Sequence, residues 1–284
     1  MSPDSAGPTI DVVIPMHNGA ATIERTLSAV LEQGVDGLRV IVVDDGSTDD
    51  SSDLVAAIDD PRVQLEHQER KGVSAARNRG AQLGTGDTLI FLDSDDVPCP
   101  GWATMLVPCP GLGLVRCGAT SVFTDGRREP LNAMGGPFLA GLFAVDRSLF
   151  EEVGGYDERL AYSENTDLGF RLERALSEKG LAPYIVDGFF VDVRRDDGPR
   201  EIRYGNSVIR DAAERVLDKH AGHITDNATA RFSAVAGVQN IALGERRRAR
   251  VHLRRAVQLA PRNWRYRARL VQSYLPQRQT IRSS

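Results

Sequence analysis

Short apolar runs alternate with helically spaced apolar positions through the first hundred residues. Ile10 to Pro15 contains Val12, Val13 and Ile14, and Ile23, Leu27, Val30 and Leu31 follow at intervals of three to four, which predicts strand, turn and helix. Leu38 to Val43 is a second buried strand. It ends in Asp44, Asp45 and Gly46, after which Ser47, Thr48 and Asp49 are N-cap candidates for a helix holding Leu54, Val55 and Ile58. Val63 to Leu65 predicts a shorter third strand, Gly72 to Leu83 a helix, and Thr88 to Leu92 a strand ending at Asp93, Ser94, Asp95 and Asp96. This order is that of an α/β domain with a mostly parallel sheet flanked by helices. In such sheets ligands bind beyond the strand C-termini, so Pro15 to Asn18, Asp44 to Asp49 and Asp93 to Asp96 are expected to line one crevice.

Past Pro98 the pattern loosens until Leu142 to Val145, the helix-like Arg147 to Val153 and a helix over about Thr166 to Lys179. From Ile202 onward everything reads as helix. Ala234, Val238 and Ile241 face Ala249, Leu253, Ala256 and Ala260 across Gly244 as one hairpin of tetratricopeptide type, too little for a solenoid. The expected organisation is a disordered N-terminus over 1–9, a catalytic α/β domain over 10–200 and a helical, Arg-rich C-terminal region over 201–284.

Composition changes this picture little. With 41% hydrophobic and 26% charged residues in 284, the chain reads as an ordinary globular protein. Cys99, Cys109 and Cys117 lack CxxC spacing, so no zinc site or disulfide framework is indicated, and a reducing compartment is the default. No apolar stretch is long enough for a spanning helix, so a cytoplasmic or peripheral membrane location is expected. The charge is distributed unevenly. Residues 231 to 284 hold 13 Arg and no Lys against the single acid Glu245, a surplus of +12 within a net charge of -4. Such a tail reads as an anionic membrane or nucleic-acid patch, or as Arg on solvated helix faces; of these partners, nucleic acid is not expected.

The acidic turn is the most chemical stretch. Three carboxylates within four residues repel one another unless a cation lies among them, and Mg2+ or Mn2+ takes such hard oxygen ligands, completing its shell with substrate phosphates. A solvated helix-capping turn is the other reading. Gly72 to Gly80 offers a small-residue helix start with Arg77 and Arg79, suited to phosphate or a base edge.

Val13-Ile14-Pro15-Met16-His17-Asn18, Val43 to Asp49, Gly72 to Gly80 and Phe91 to Asp96 together resemble the ordered motifs of glycosyltransferase family 2. The resemblance covers roughly residues 10 to 190, through Gly154-Gly155-Tyr156-Asp157-Glu158 and Ser163 to Leu168. It implies a GT-A fold and transfer of a sugar, with inversion, from a UDP- or dTDP-sugar to a hydroxyl on a glycan, lipid-linked or small-molecule acceptor. By position, Pro15 and His17 would flank the nucleobase, Asp45 would accept its ring N–H, Arg77 would lie near the base or diphosphate and Asp93 near the ribose. Asn18 and Gly72 complete the donor side. Asp95 and Asp96 would hold the metal, with the acceptor near Trp102 and Gly135 to Gly141.

Two positions depart from the family pattern. Asn165 stands where an acid usually serves as base, and Val193 to Asp197 lacks the metal-binding His often found there. Glu164, one methylene longer than the usual aspartate, is the expected base, and Asp167, in the first helical turn, is the second candidate. Asn165 would then bond the acceptor or a loop. The alternative is a non-catalytic relative that binds nucleotide-sugar or glycan. A nucleotidyltransferase would need a Gly-rich loop with Lys after the first strand, and an oxidoreductase a GxGxxG; neither is present.

Overall fold

Every residue of β1 (Ile10–Met16) is buried, as befits an apolar strand covered on both faces. The computed structural model describes residues 9–107, 111–133, 138–195 and 204–275. β2 (Leu38–Asp45) and β3 (Val63–Gln68) pair in parallel on one side of β1, and β4 (Thr88–Phe91) pairs in parallel on the other. The connections carry α1 (Ile23–Leu31), α2 (Ser51–Ala56) and α3 (Val73–Leu83). Helix α1 turns Ile23, Thr26, Leu27 and Val30 inward at the spacing of one face. Each fully buried Leu or Ile there contributes about 1.5–3 kcal/mol. Helix α3 sits unusually close to the sheet. A Cβ on Gly80 would lie 2.4 Å from Val13 Cγ1, so only glycine permits this approach, and Arg77 is thereby carried to the strand ends.

After β4 come β5 (Val97–Pro98), α4 (Trp102–Leu106), β6 (Leu114–Phe123), β7 (Arg128–Leu131), β8 (Phe143–Asp146), α5 (Arg147–Glu152), α6 (Glu164–Glu178) and β9 (Tyr184–Arg195). The sheet runs β3-β2-β1-β4-β8-β6-β9-β5, with β7 on β6. Strands β5, β7 and β8 oppose the other six, so the sheet is mostly parallel as expected. Periodicity did not predict β6, β7 or β9. The β6–β9 register shifts on either side of Gly118, which destroys the two-residue alternation that marks a strand. Asp11 is a further unanticipated feature. Fully buried, it accepts from Arg39 (Nη2, 2.7 Å), Arg147 (Nη2, 2.7 Å) and the Gly86 amide (2.6 Å), fastening β2 and α5 to β1 at the end away from the crevice.

The chain divides into two compact units, Met1–Asp197 and Gly198–Ser284. The second is helical: α7 (Asn206–Lys219), α8 (Asp226–Ala242), α9 (Arg246–Leu259) and α10 (Trp264–Gln272). The predicted hairpin is α8–α9, turning at Gly244 (φ 81°), with Ala249, Leu253 and Ala256 buried and Leu253 seated against Gly237. Among the described residues no helix is long and apolar enough to cross a membrane. Apart from Thr9, the segment expected to be disordered lies outside the described residues, as does Cys109.

Candidate functional site

The turns after β1 and β2 are laced together. Asn18 adopts φ 52°, its amide N–H donates to Ser47 Oγ (2.9 Å), and its side-chain oxygen accepts from the Thr48 amide (2.8 Å). Asp49 receives the Ala20 amide (3.1 Å), and His17 Nδ1 lies 3.0 Å from the Asp45 carbonyl. Pro15 is buried inside β1, so of the two residues expected to flank a base only half-buried His17 offers a face at this strand end. Burial works to raise the Asp44 pKa, but donors on Ser47, Ser52 and His67 outweigh it and hold the carboxyl below its ordinary value.

Asp45 is buried at the end of β2 and accepts three N–H groups: Gln68 Nε2 (2.8 Å), Lys71 N (2.7 Å) and Gly72 N (2.8 Å). It therefore fixes the loop entering α3. Gly72 has φ 95°, which an L side chain rarely adopts, with nothing within 4 Å of where a Cβ would stand; backbone conformation, not space, demands glycine.

Arg77 joins the acidic turn after β4 to the residue that opens α6. Only 1% exposed, its guanidinium donates through Nη2 to Asp93 Oδ1 (2.6 Å) and through Nη1 to Glu164 Oε1 (3.1 Å), with Cζ 5.1 Å from the Tyr156 ring centre. Burial opposes its charge, but Asp93, Tyr156 and Glu164 outweigh that penalty and raise the pKa. Its Nε has no partner among the described residues. Arg77, expected near base or diphosphate, is instead committed to these carboxylates, leaving little of it to face a ligand.

The acidic turn is held by its backbone: the Thr26 hydroxyl lies within hydrogen-bond reach of the carbonyls of Ser94 (3.0 Å) and Asp96 (2.9 Å), to which its single proton can be given in turn. Asp93 and Asp95 are half-buried. Asp96 is 3% exposed, and Arg194 N, from the end of β9, donates to its Oδ1 (2.9 Å). Burial, then the charges of Asp93 and Asp95, push the Asp96 pKa well up against the pull of the Arg194 N–H and Arg195. Among the described residues no group of three or more His, Cys, Asp or Glu is arranged to hold a metal by itself. Where a His was missed in sequence, Arg194 and Arg195 end β9; Asp196 and Asp197 lie outside the described residues.

Helix α6 begins at Glu164, two residues before the expected start, after Ser163 at φ 65°. Glu164 Oε1 accepts from Arg77 and from Asn165 Nδ2 (3.0 Å), while Oε2 has no hydrogen bond among the described residues. Asn165 in turn receives Tyr156 OH (2.9 Å), so it orients Glu164. Two expectations are corrected. Asp167 is fully buried, with Oδ2 taking Arg171 Nε (3.0 Å) and Nη2 (2.7 Å); that pair is structural and has no surface for substrate. Trp102 is also fully buried, its indole N–H on the Gly141 carbonyl (2.7 Å), so it is core and cannot touch an acceptor. Residues 135–137 of the expected acceptor segment lie outside the described residues. Sequence reading missed Asn78, which clamps α3 to the Tyr156 backbone in both directions (3.0 and 2.8 Å); an Asn beside an Arg on a helix carries no signal of its own.

The sequence profile of the family described as glycosyl transferase family 2 matches residues 11–108, the stretch that holds the turns after β1 and β2, Arg77 and the acidic turn. The chain carries a glycosyl transferase family 2 domain. Among curated glycosyltransferases, it is 35% identical over 190 residues to the pre-mycofactocin glycosyltransferase of Mycobacterium tuberculosis, covering 58% of this chain and 39% of that protein. It is 35% identical over 120 residues to the validoxylamine A glucosyltransferase of Streptomyces hygroscopicus subsp. jinggangensis, covering 39% and 28%. The chain thus spans well under half the length of these relatives. The structure of S. aureus TarS 1-349 in complex with UDP-GlcNAc superposes with a TM-score of 0.66 at 16% identity, covering 94% of this chain and 89% of that one. The family 2 domain accordingly has the GT-A fold, followed by helices.

Proposed function

We propose that the protein is a metal-dependent, inverting glycosyltransferase that moves a sugar from a nucleoside diphosphate donor, UDP- or dTDP-linked, to an acceptor hydroxyl. The observation that carries this reading is the Arg77 bracket, in which one buried guanidinium holds together Asp93, in the turn after β4, and Glu164, at the start of α6. The relatives' printed activities and the UDP-GlcNAc bound to TarS support it.

His17 and the Lys71–Gly72 loop held by Asp45 receive the base, and Asp93 Oδ2, opposite the oxygen paired with Arg77, meets the ribose. The donor set at the acidic turn fits a divalent ion. Asp96 is buried with its charge unfavourably compensated and Asp95 stands beside it, a pair of hard oxygen donors of the kind taken by Mg2+ or Mn2+, which also keeps water and takes phosphate oxygens. Held by Asp95 and Asp96, the ion would supply positive charge against the departing diphosphate. Glu164 Oε2 takes the proton of the acceptor hydroxyl as its oxygen bonds to the anomeric carbon. The bond from that carbon to the diphosphate oxygen breaks, and its electron pair leaves with the nucleoside diphosphate.

A donor panel tests this. Each nucleoside diphosphate sugar is incubated with the protein, Mn2+ and candidate acceptors, and free nucleoside diphosphate is measured. Release from a uridine or thymidine donor, lost on chelation, is expected. Tight donor binding with no release from any donor in the presence of acceptors would instead favour a non-catalytic binding protein.

A further inference from the structure

The geometry points to helix α10 as a docking surface for anionic lipid, a reading independent of the transferase proposal. None of its residues is buried, although it closes the helical unit after α9. Trp264, Ala268 and Val271 recur at i, i+4 and i+7, so they share one side of the helix, and Leu275 follows just past its end; Trp264 is 70% exposed, Val271 61% and Leu275 56%. Arg265 and Arg267 flank this stripe and Arg262 precedes it. All three are exposed, and none forms an ion pair among the described residues.

An apolar stripe bordered by unpaired cations is what the boundary between lipid headgroups and acyl chains accepts: the Trp, Val and Leu side chains enter the apolar layer while the guanidinium groups meet phosphate. A nucleic acid would satisfy the Arg residues and leave the stripe in water. A second copy of the chain would cover the stripe but bring like charges together, which opposes association.

The protein has two Trp, and Trp102 is fully buried and hydrogen-bonded, so a change in emission on binding reports Trp264. With vesicles of phosphatidylcholine and phosphatidylglycerol at low salt, the full chain should sediment. Its emission should shift to the blue and be quenched by brominated lipid; pure phosphatidylcholine should produce none of this. Arg265→Gln and Arg267→Gln should each weaken partitioning about fivefold, and Val271→Asp should abolish the blue shift with helix content and Trp102 emission unchanged. Equal binding to both vesicle types, no binding to either, full binding by Val271→Asp, or displacement from anionic vesicles by RNA would each overturn the proposal. Donor turnover measured on the same samples keeps this outcome separate from that of the transferase reading.

Discussion

Glu164→Gln should lower turnover about 10²- to 10⁴-fold and leave nucleoside diphosphate affinity within a factor of about two. The substituted side chain keeps a carbonyl oxygen to accept from Arg77 Nη1 and Asn165 Nδ2, so the bracket stays assembled around it. What disappears is the oxygen that can take up a proton. Because Arg77 also retains Asp93, melting temperature should change little. Steady-state kinetics with parallel calorimetry separates kcat from binding, and normal turnover by this variant would remove Glu164 from the chemistry.

The neighbouring carboxylate should behave in the opposite way. Asp167→Asn should destabilise the first unit by about 3–5 kcal/mol, the cost of breaking a buried ion pair on one side. Both partners are shielded: Asp167 is 0% and Arg171 10% exposed. Arg171 Nη1 also donates to the carbonyls of Val153 (2.7 Å) and Gly155 (2.6 Å), so loss of its counter-charge loosens the turn that presents Tyr156. A fall of roughly 10 °C in melting temperature is expected for a unit of this size. At low temperature, where the variant is folded, turnover per folded molecule should match the wild type. A stable variant without activity would restore Asp167 as a base. The pair of substitutions thus distinguishes a carboxylate that reacts from one that holds the helix.

The parts of this site that were legible in sequence are those whose signal is local. The runs at Ile10, Leu38 and Thr88 announce buried strands, and the polar turns at Asp44 to Asp49 and Asp93 to Asp96 follow them directly, so both the α/β order and the crevice could be read. Which carboxylate faces which cation could not. Asp93 and Glu164 meet only because Arg77 reaches both, contacts spanning 16 and 87 residues that no periodicity encodes. The same reason hid the true surroundings of Trp102, whose partner Gly141 is 39 residues away. Asp167 and Arg171, at i and i+4, were within reach of a helical reading. Their burial was not, since Arg171 is held by the Val153 and Gly155 carbonyls, 18 and 16 residues away. In the second unit α8 and α9 were legible from spaced Ala and Leu positions, whereas the exposure of Trp264 is a property of what fails to pack on α10.

The central claim is that the crevice binds a nucleoside diphosphate together with a divalent ion at the acidic turn, and titration calorimetry tests it most directly. UDP and dTDP are each titrated into wild type and Asp95→Asn, with Mn2+ and again with chelator. At least one nucleotide should bind wild type in Mn2+, and its affinity should fall about tenfold or more, about 1.4 kcal/mol, both on chelation and in Asp95→Asn. Affinity that is indifferent to chelator and to Asp95→Asn, or no binding of either nucleotide, would contradict the account.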